Sequence, residues 1–510
     1  MPATSAETWA LLPELFLTAA GLALLVYATI VQRSDERRIA YLSIVSLIVT
    51  FALTFVASRL VAKLPSVVFG GMFALDRFSL YFKGLVLLAA LVTILFSLRF
   101  VGSSSYPSGE YYGLILFTTV GMMFMASGTH LASIYVALEL MALSQYVLAG
   151  YFKREPKSIE AGAKYFVLGA FSSGILLYGL SLVYGATKTL SLSGIAAAIA
   201  VARPSPLLMV GIILTACGLF FKIAAAPFHV WAPDVYEGAP TPISAFFAVG
   251  PKLAAYAIFA RIFFSGFGAG SASWAAVIAT SAAFTMVVGN VGALMQTNVK
   301  RMLGYSSIGH AGYALLGLLA YTGVPAASYG AVEIASAKSP ATIGVFGLQY
   351  GSPGLLAIMV YLFAYALMNL GVFGLVILLE AKGYAGESVD DFNGLSKRNP
   401  LAAAAMLVFL LSLAGIPPTF GFIGKWYLFA AALQAGWVWL TVLAVLMSAV
   451  SLFYYFRIAR AMYLVEGEGE LRWREEPAVG WAVGICLFGT LAAGFYPQPF
   501  VDLAKSCLLR

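Results

Sequence analysis

FKIAAAPFHVWAPDVYEGAPTP, residues 221–242, is the stretch whose reading decides the fold. Directly before it runs LLMVGIILTACGLF, an apolar run of the kind that forms a helix inside a bilayer. Lys222 then falls in the same helix. A lysine at that depth costs at least roughly 2.5–3.5 kcal/mol on insertion scales. At Pro227 the chain loses a backbone donor, and the ring clashes with the preceding turn. Broken helices at membrane depth are tolerated only where they are buried in protein or line a wet cavity. A charge beside such a break predicts a chain that carries ions, protons first among them, through its middle.

The composition sets the frame. Of 510 residues 61% are hydrophobic and 10% charged, against about 25% charge in a soluble domain. The reading is a polytopic, all-α integral membrane protein. A net charge of +8 is small for this length, and it fits positive loops on one membrane face, not nucleic-acid binding. Cys217, Cys486 and Cys507 stand alone with no CxxC pair, which excludes an iron–sulfur cluster held by this chain. His130, His229 and His310 are far apart and show no metal-ligand spacing. The glycine-rich GFGAGS at 266–271 follows an apolar helix, not a strand. GFIGKW at 421–426 lacks the first glycine and the Ser/Thr of a phosphate loop. Neither reads as a nucleotide site.

Working outward, about fourteen apolar segments approach the roughly 20 residues that a bilayer needs. They lie near 9–31, 39–62, 78–100, 111–129, 131–152, 161–185, 206–229, 241–264, 274–296, 302–321, 354–380, 401–434, 437–460 and 478–496. The first has no Lys or Arg before it and is too long for the apolar region of a signal peptide. SLSGIAAAIAVA at 191–202 is too short to span, and Glu466 to Glu476 reads as a polar turn. A second break, LSLAGIPPTFGFIGKW, falls at Pro417–Pro418 with Lys425 soon after. Segments four to eight and nine to thirteen each hold one break. Five spans is an odd number, so the two units are inverted, as in transporters. The expected division is 1–105 for three N-terminal helices, 106–265 and 266–465 for the two repeats, and 466–510 for a loop and last helix. With the N-terminus outside, the inside loops hold about sixteen Lys and Arg against about nine outside, so both termini are expected on the non-cytoplasmic face.

Five ionisable groups fall inside apolar helices: Glu139, Lys222, Lys252, His310 and Lys425. Lys164 sits near the start of its own. Glu139 reads as the sole deep carboxylate, and the series holds no arginine, which does not release its proton. A lysine exchanges its proton as an acidic neighbour approaches or leaves. Each group also has a bland reading. Glu139 and Lys222 make a structural ion pair. Lys252 caps the kink at Pro251. His310 bonds Ser306 or Ser307. Lys425 satisfies the carbonyls freed by its break, and Lys164 snorkels to the interface. For a relay, Lys425 is expected to hydrate more easily than Lys252, and Lys425→Glu is expected to keep partial activity where Lys425→Leu does not.

The stretch FKIAAAPFHVWAPDVYEGAPTPISAFFAVGPKLAAYAIFAR resembles the core signature of the antiporter-like subunit N of respiratory complex I, the bacterial counterpart of mitochondrial subunit two. LSLAGIPPTFGFIGKWYLF is similar to the family's second broken helix, and AKYFVLGAFSSGILLYG to its sixth span. The resemblance covers nearly the whole chain. The sister subunits L and M usually carry a stretch rich in histidine and threonine where this chain has AVGPKLAAYA. The resemblance implies an ion pair of Glu139 with Lys222, a connecting Lys252, and Lys425 in the second half-channel. It places His310 on the link between the halves and Lys164 near the first half-channel. It implies proton translocation without a cofactor in this chain; NADH, FMN, iron–sulfur clusters and quinone belong to other subunits. The implied partners are subunits M, L, K, J and A and membrane lipids, in a bacterial inner membrane. Three further readings stay open: an Mrp-type cation/proton antiporter, a membrane subunit of a related hydrogenase or photosynthetic ferredoxin-linked complex, and a structural spacer.

Overall fold

The structure, a computed structural model, describes residues 5–30, 36–59, 61, 66–102, 107–201, 205–320, 353–380, 387–467 and 477–509. Most of the 466–476 turn lies outside the described residues, as do several loop cations behind the orientation, among them Arg33, Lys338 and Lys382.

A helix stands on every one of the fourteen apolar segments. The first stretch holds α1 (Ser5–Ala10), α2 (Leu12–Ile30) and α3 (Glu36–Ser58). A short hairpin of β1 (Val67–Val68) and β2 (Phe73–Ala74) leads to α4 (Arg77–Gly102). Next come α5 (Ser108–Ser127), α6 (Leu131–Ala149) and α7 (Pro156–Thr187). The short α8 (Leu192–Val201) matches the stretch too brief to span. The first break separates α9 (Pro206–Ile223) from α10 (Trp231–Gly238). The centre is built from α11 (Thr241–Ala260), α12 (Ser271–Leu294), α13 (Val299–Leu319) and α14 (Pro353–Glu380). After the single turn α15 (Leu395–Arg398), the 401–434 segment resolves into α16 (Pro400–Ala414) and α17 (Phe420–Gln434), separated by the second break. The chain closes with α18 (Val438–Leu464), α19 (Pro477–Phe495) and α20 (Gln498–Ser506). Among the described residues, 11 helices are long and apolar enough to cross a membrane unaided.

Local sequence explains the boundaries. Ser205 and Asn399 cap α9 and α16 by accepting from Leu208 N and Ala402 N, each with proline at the first helical position. Asn298 caps α13 in the same way through Arg301 N. Both broken helices stop before their prolines, on a left-handed residue that turns the chain aside: Ala224 at φ 57° and Gly415 at φ 84°.

The packing grades from inside to outside. Every residue of α11 is buried, and α13 and α14 are almost as enclosed. By contrast α3, α7 and α18 expose large apolar side chains such as Phe55, Phe171 and Phe453. That surface is suited to lipid or to neighbouring apolar helices. Two of these three, α11 and α13, carry Lys252 and His310, the middle of the polar series.

Candidate proton-transfer site

Lys222 is the last residue but one of α9, two before the turn at Ala224, and is buried. Its Nζ donates to the Tyr146 hydroxyl at 3.3 Å. Glu139 is half-buried, and its Oε1 is enclosed with no hydrogen-bond partner among the described residues. The two expected partners thus interact electrostatically across a gap. On the far side of the break, the Trp231 indole N–H donates at 3.0 Å to the Phe221 carbonyl, which also accepts from Ala224 N at 3.1 Å, so the broken helix end is bonded to its own continuation.

Lys252 follows Pro251 within α11 and reaches across to α13. Its ammonium meets the Ser307 carbonyl and the Ser307 hydroxyl, each at 2.5 Å. The Ser307 hydroxyl also lies 2.6 Å from the Tyr365 hydroxyl and 3.1 Å from that of Tyr236. One turn on, His310 is held between two phenols: Nδ1 lies 2.5 Å from Tyr361 Oη and Nε2 3.2 Å from Tyr455 Oη. Its partners are therefore tyrosines, not Ser306 or Ser307. Ser306 instead lies 2.5 Å from the Tyr455 hydroxyl. The His310 ring is 5.3 Å from that of Tyr365. The middle of the path thus forms two hydrogen-bonded clusters that touch through rings.

Lys425, on α17, folds back over the second break. Its Nζ donates to the Leu413 and Ala414 carbonyls, both at 2.9 Å, and to the Ser448 hydroxyl at 2.8 Å. These are the last carbonyls of α16, so the lysine satisfies the broken helix end and sits at its negative dipole. Gly415 leaves the room: a Cβ there would come within 2.7 Å of Lys425 Cδ. The greater ease of hydration expected of Lys425 has no counterpart in its burial: Lys425 is 3% exposed and Lys252 2%. The reading of Lys425→Glu changes as well. A carboxylate would face two carbonyl oxygens with no proton to give them. Lys425→Glu and Lys425→Leu are both expected to lose proton pumping in the assembled complex, read as acidification of membrane vesicles. Partial pumping by Lys425→Glu alone restores the sequence-based expectation.

Lys164 stands apart from this series. It is 41% exposed and pairs with Glu160 and Asp234, each at 2.6 Å. Asp234 also meets Arg301 at 2.5 Å, while Glu237 meets Arg301 and Lys157, each at 3.1 Å. Burial works to raise the Asp234 carboxyl, but Lys164 and Arg301 hold it below its ordinary value. These charges fasten the ends of α7, α10 and α13 together beside the first break.

A family profile described as NADH:quinone oxidoreductase/Mrp antiporter, TM, matches residues 128–334 and 339–451. The chain belongs to that family. It is 41% identical to NADH-quinone oxidoreductase subunit N of Trichlorobacter lovleyi over 502 residues, which is 98% of this chain and 96% of the relative. A chain of respiratory complex I from Thermus thermophilus superposes with a TM-score of 0.78 at 32% identity, over 97% of this chain and 100% of that one. A chain of the Mrp complex from Dietzia sp. reaches 0.79 at 22% identity, over 99% and 97%, and shares the fold.

The family match opens at residue 128, beyond a charged pair that the sequence reading passed over. Lys83 on α4 and Glu14 on α2 lie 2.5 Å apart, with side chains 1% and 0% exposed. Glu139 is thus not the sole deep carboxylate. The claim that the buried series holds no arginine also fails. Arg261 is buried just after α11, where its guanidinium grips Asp76 at 2.8 and 3.0 Å and the Ala126 carbonyl at 3.1 and 3.2 Å. Lys300 is buried as well and donates to the Ala239 carbonyl at 3.0 Å. Lys83 falls inside an apolar segment, but only six residues into α4.

Proposed function

We propose that this chain is the proton-translocating, antiporter-like membrane subunit of an NADH:quinone oxidoreductase. One observation carries the reading: Lys222, Lys252 and Lys425 are buried, and the hydrogen bonds of all three ammonium groups go to neutral hydroxyls and carbonyls. Among the described residues no carboxylate is bonded to these ammonium groups, so a change of charge nearby moves their protons. Full-length similarity to subunits N supports the choice of complex. Redox chemistry takes place in other subunits, which bind NADH, flavin, clusters and quinone. Charge movement there would bias the Glu139–Lys222 end. Lys252, Ser307, His310 and the tyrosines around it would pass the disturbance toward Lys425. The direct neighbours would be other membrane subunits of the same complex, including antiporter-like subunits M and L.

The test is purification through a tag on this chain, with mass spectrometry of the chains that come with it and NADH-driven acidification of reconstituted vesicles. Subunits of an NADH:quinone oxidoreductase and NADH-dependent pumping are expected. Co-purification with Mrp-type subunits and sodium-dependent exchange would sink the proposal.

A further inference from the structure

Glu139 and Lys222 are separated, and a phenol occupies the approach. Tyr146 follows Glu139 by two turns of α6, so both project from the same side of that helix. Its hydroxyl accepts from Lys222 at 3.3 Å, and the Lys222 ammonium lies 5.7 Å from the ring centroid. Glu139 acts electrostatically on both Lys222 and Tyr146. Its enclosed Oε1, without a hydrogen-bond partner among the described residues, is an acceptor open to a proton.

The surroundings fix the phenol in place. On α7, a Cβ at Gly169 would stand 2.2 Å from the Tyr146 hydroxyl oxygen and 2.5 Å from Cζ. Glycine at 169 therefore makes the space that the hydroxyl fills. Tyr165 meets the Tyr146 ring edge-on at 4.9 Å and 84°, and Phe166 does so at 5.8 Å and 76°. Tyr165 is itself stacked at 4.4 Å and 13° on Trp231, the first residue after the break. Its hydroxyl donates to Gln145 Oε1 at 2.8 Å. Helices α6, α7 and α9 thus meet at one hydroxyl, with Trp231 of α10 behind Tyr165.

We infer that Tyr146 relays the proton between Lys222 and Glu139; the inference rests on the pumping role proposed above. A phenol both donates and accepts, which suits it to a relay. In the step, an N–H bond of the Lys222 ammonium breaks as a new O–H bond forms on Tyr146. The original Tyr146 proton passes to the Glu139 carboxylate. The step leaves a neutral amine, a neutral carboxylic acid and an intact phenol, and no charge rests on the ring. Because the phenol is held, the Glu139 side chain is the part that closes the gap.

Two variants test this in the intact complex, each checked for assembly on a native gel. Tyr146→Phe deletes the hydroxyl and keeps the ring. Gly169→Ala keeps every hydroxyl and charge but pushes the Tyr146 hydroxyl from its place. Pumping is expected to fall roughly tenfold or more in both, a modest share of what a positioned proton-transfer group supplies. The rate in deuterated water is expected to fall further in Tyr146→Phe than in the parent, because the proton now crosses an unbridged gap. Lys222→Ala serves as the reference. If Lys222→Ala stops pumping while either assembled variant pumps at the parental rate with the parental isotope effect, the relay is wrong and the pumping role stands. If Lys222→Ala itself pumps normally, the proposed function falls first.

Discussion

A complex carrying Lys222→Ala is expected to assemble and to lose most of its pumping, roughly tenfold or more. Lys222 lies beside a helix break, buried, with the Tyr146 hydroxyl as its hydrogen-bond partner and Glu139 within electrostatic reach. Alanine removes the group that takes up and gives back the proton, and leaves Glu139 without the charge that faces it. Lys222→Arg is the sharper version. It retains a positive charge at nearly the same place, but a guanidinium does not release its proton under working conditions. Both variants are expected to fail together in NADH-driven acidification of inverted vesicles and in coupled quinone reduction. If arginine pumps as well as lysine, Lys222 is a fixed structural charge.

The second large effect falls on stability. Glu14 on α2 and Lys83 on α4 are fully enclosed, and Glu14 has no other hydrogen-bond donor among the described residues. Removing one member of such a pair leaves an uncompensated buried charge and costs roughly 3–5 kcal/mol, whereas replacing both by apolar groups of similar size is close to neutral. Lys83→Met or Glu14→Leu alone is therefore expected to deplete the assembled complex severely. The double replacement is expected to recover much of it. The measurement is the yield and thermal stability of the detergent-solubilised complex across the four members of the cycle. Additive losses, with the double variant worse than either single one, would show that the two charges do not depend on each other.

The broken helices were legible because their signal is local. Proline at 227 and at 417–418, inside otherwise apolar runs, marked the interruptions, and the chain does turn aside just before each. The buried lysines were legible for the same reason: a charge in an apolar run is visible in one dimension. The phenols around His310 were not. Tyr361 and Tyr455 stand 51 and 145 residues away in sequence, on α14 and α18, and an aromatic residue on an enclosed helix ordinarily reads as core. Tyr146 was hidden likewise, since only the space at Gly169 reveals where its hydroxyl points. Glu14 and Lys83 lie near the starts of their helices, where a charge usually escapes to the interface. Here neighbouring helices close over both. Arg261 falls near the end of the apolar segment 241–264, yet past α11 the chain continues as one π-type turn, and the side chain turns inward to Asp76. In each case tertiary packing overrode a positional habit that one dimension cannot correct.

The cap on the second break has an arithmetic of its own. A protonated lysine has three N–H bonds, and Lys425 spends all three, on Leu413, Ala414 and Ser448. A neutral amine has two N–H bonds and a lone pair. When the proton departs, three acceptors are left to share two donors. The Ser448 hydroxyl, which donates to the Ala414 carbonyl at 3.1 Å, is the group able to turn and give its hydrogen to the nitrogen instead. Turning strips a donor from Ala414, the last residue of α16. The Ala414 carbonyl then keeps the Lys425 N–H and loses the Ser448 O–H, so discharge of Lys425 is registered as a thinner cap at the end of a helix in the membrane interior, where backbone polar groups must be satisfied internally. The half-helix works as a latch whose catch is a single hydrogen: loaded, it is closed at three points, and emptied, it is drawn toward whatever supplies the next donor.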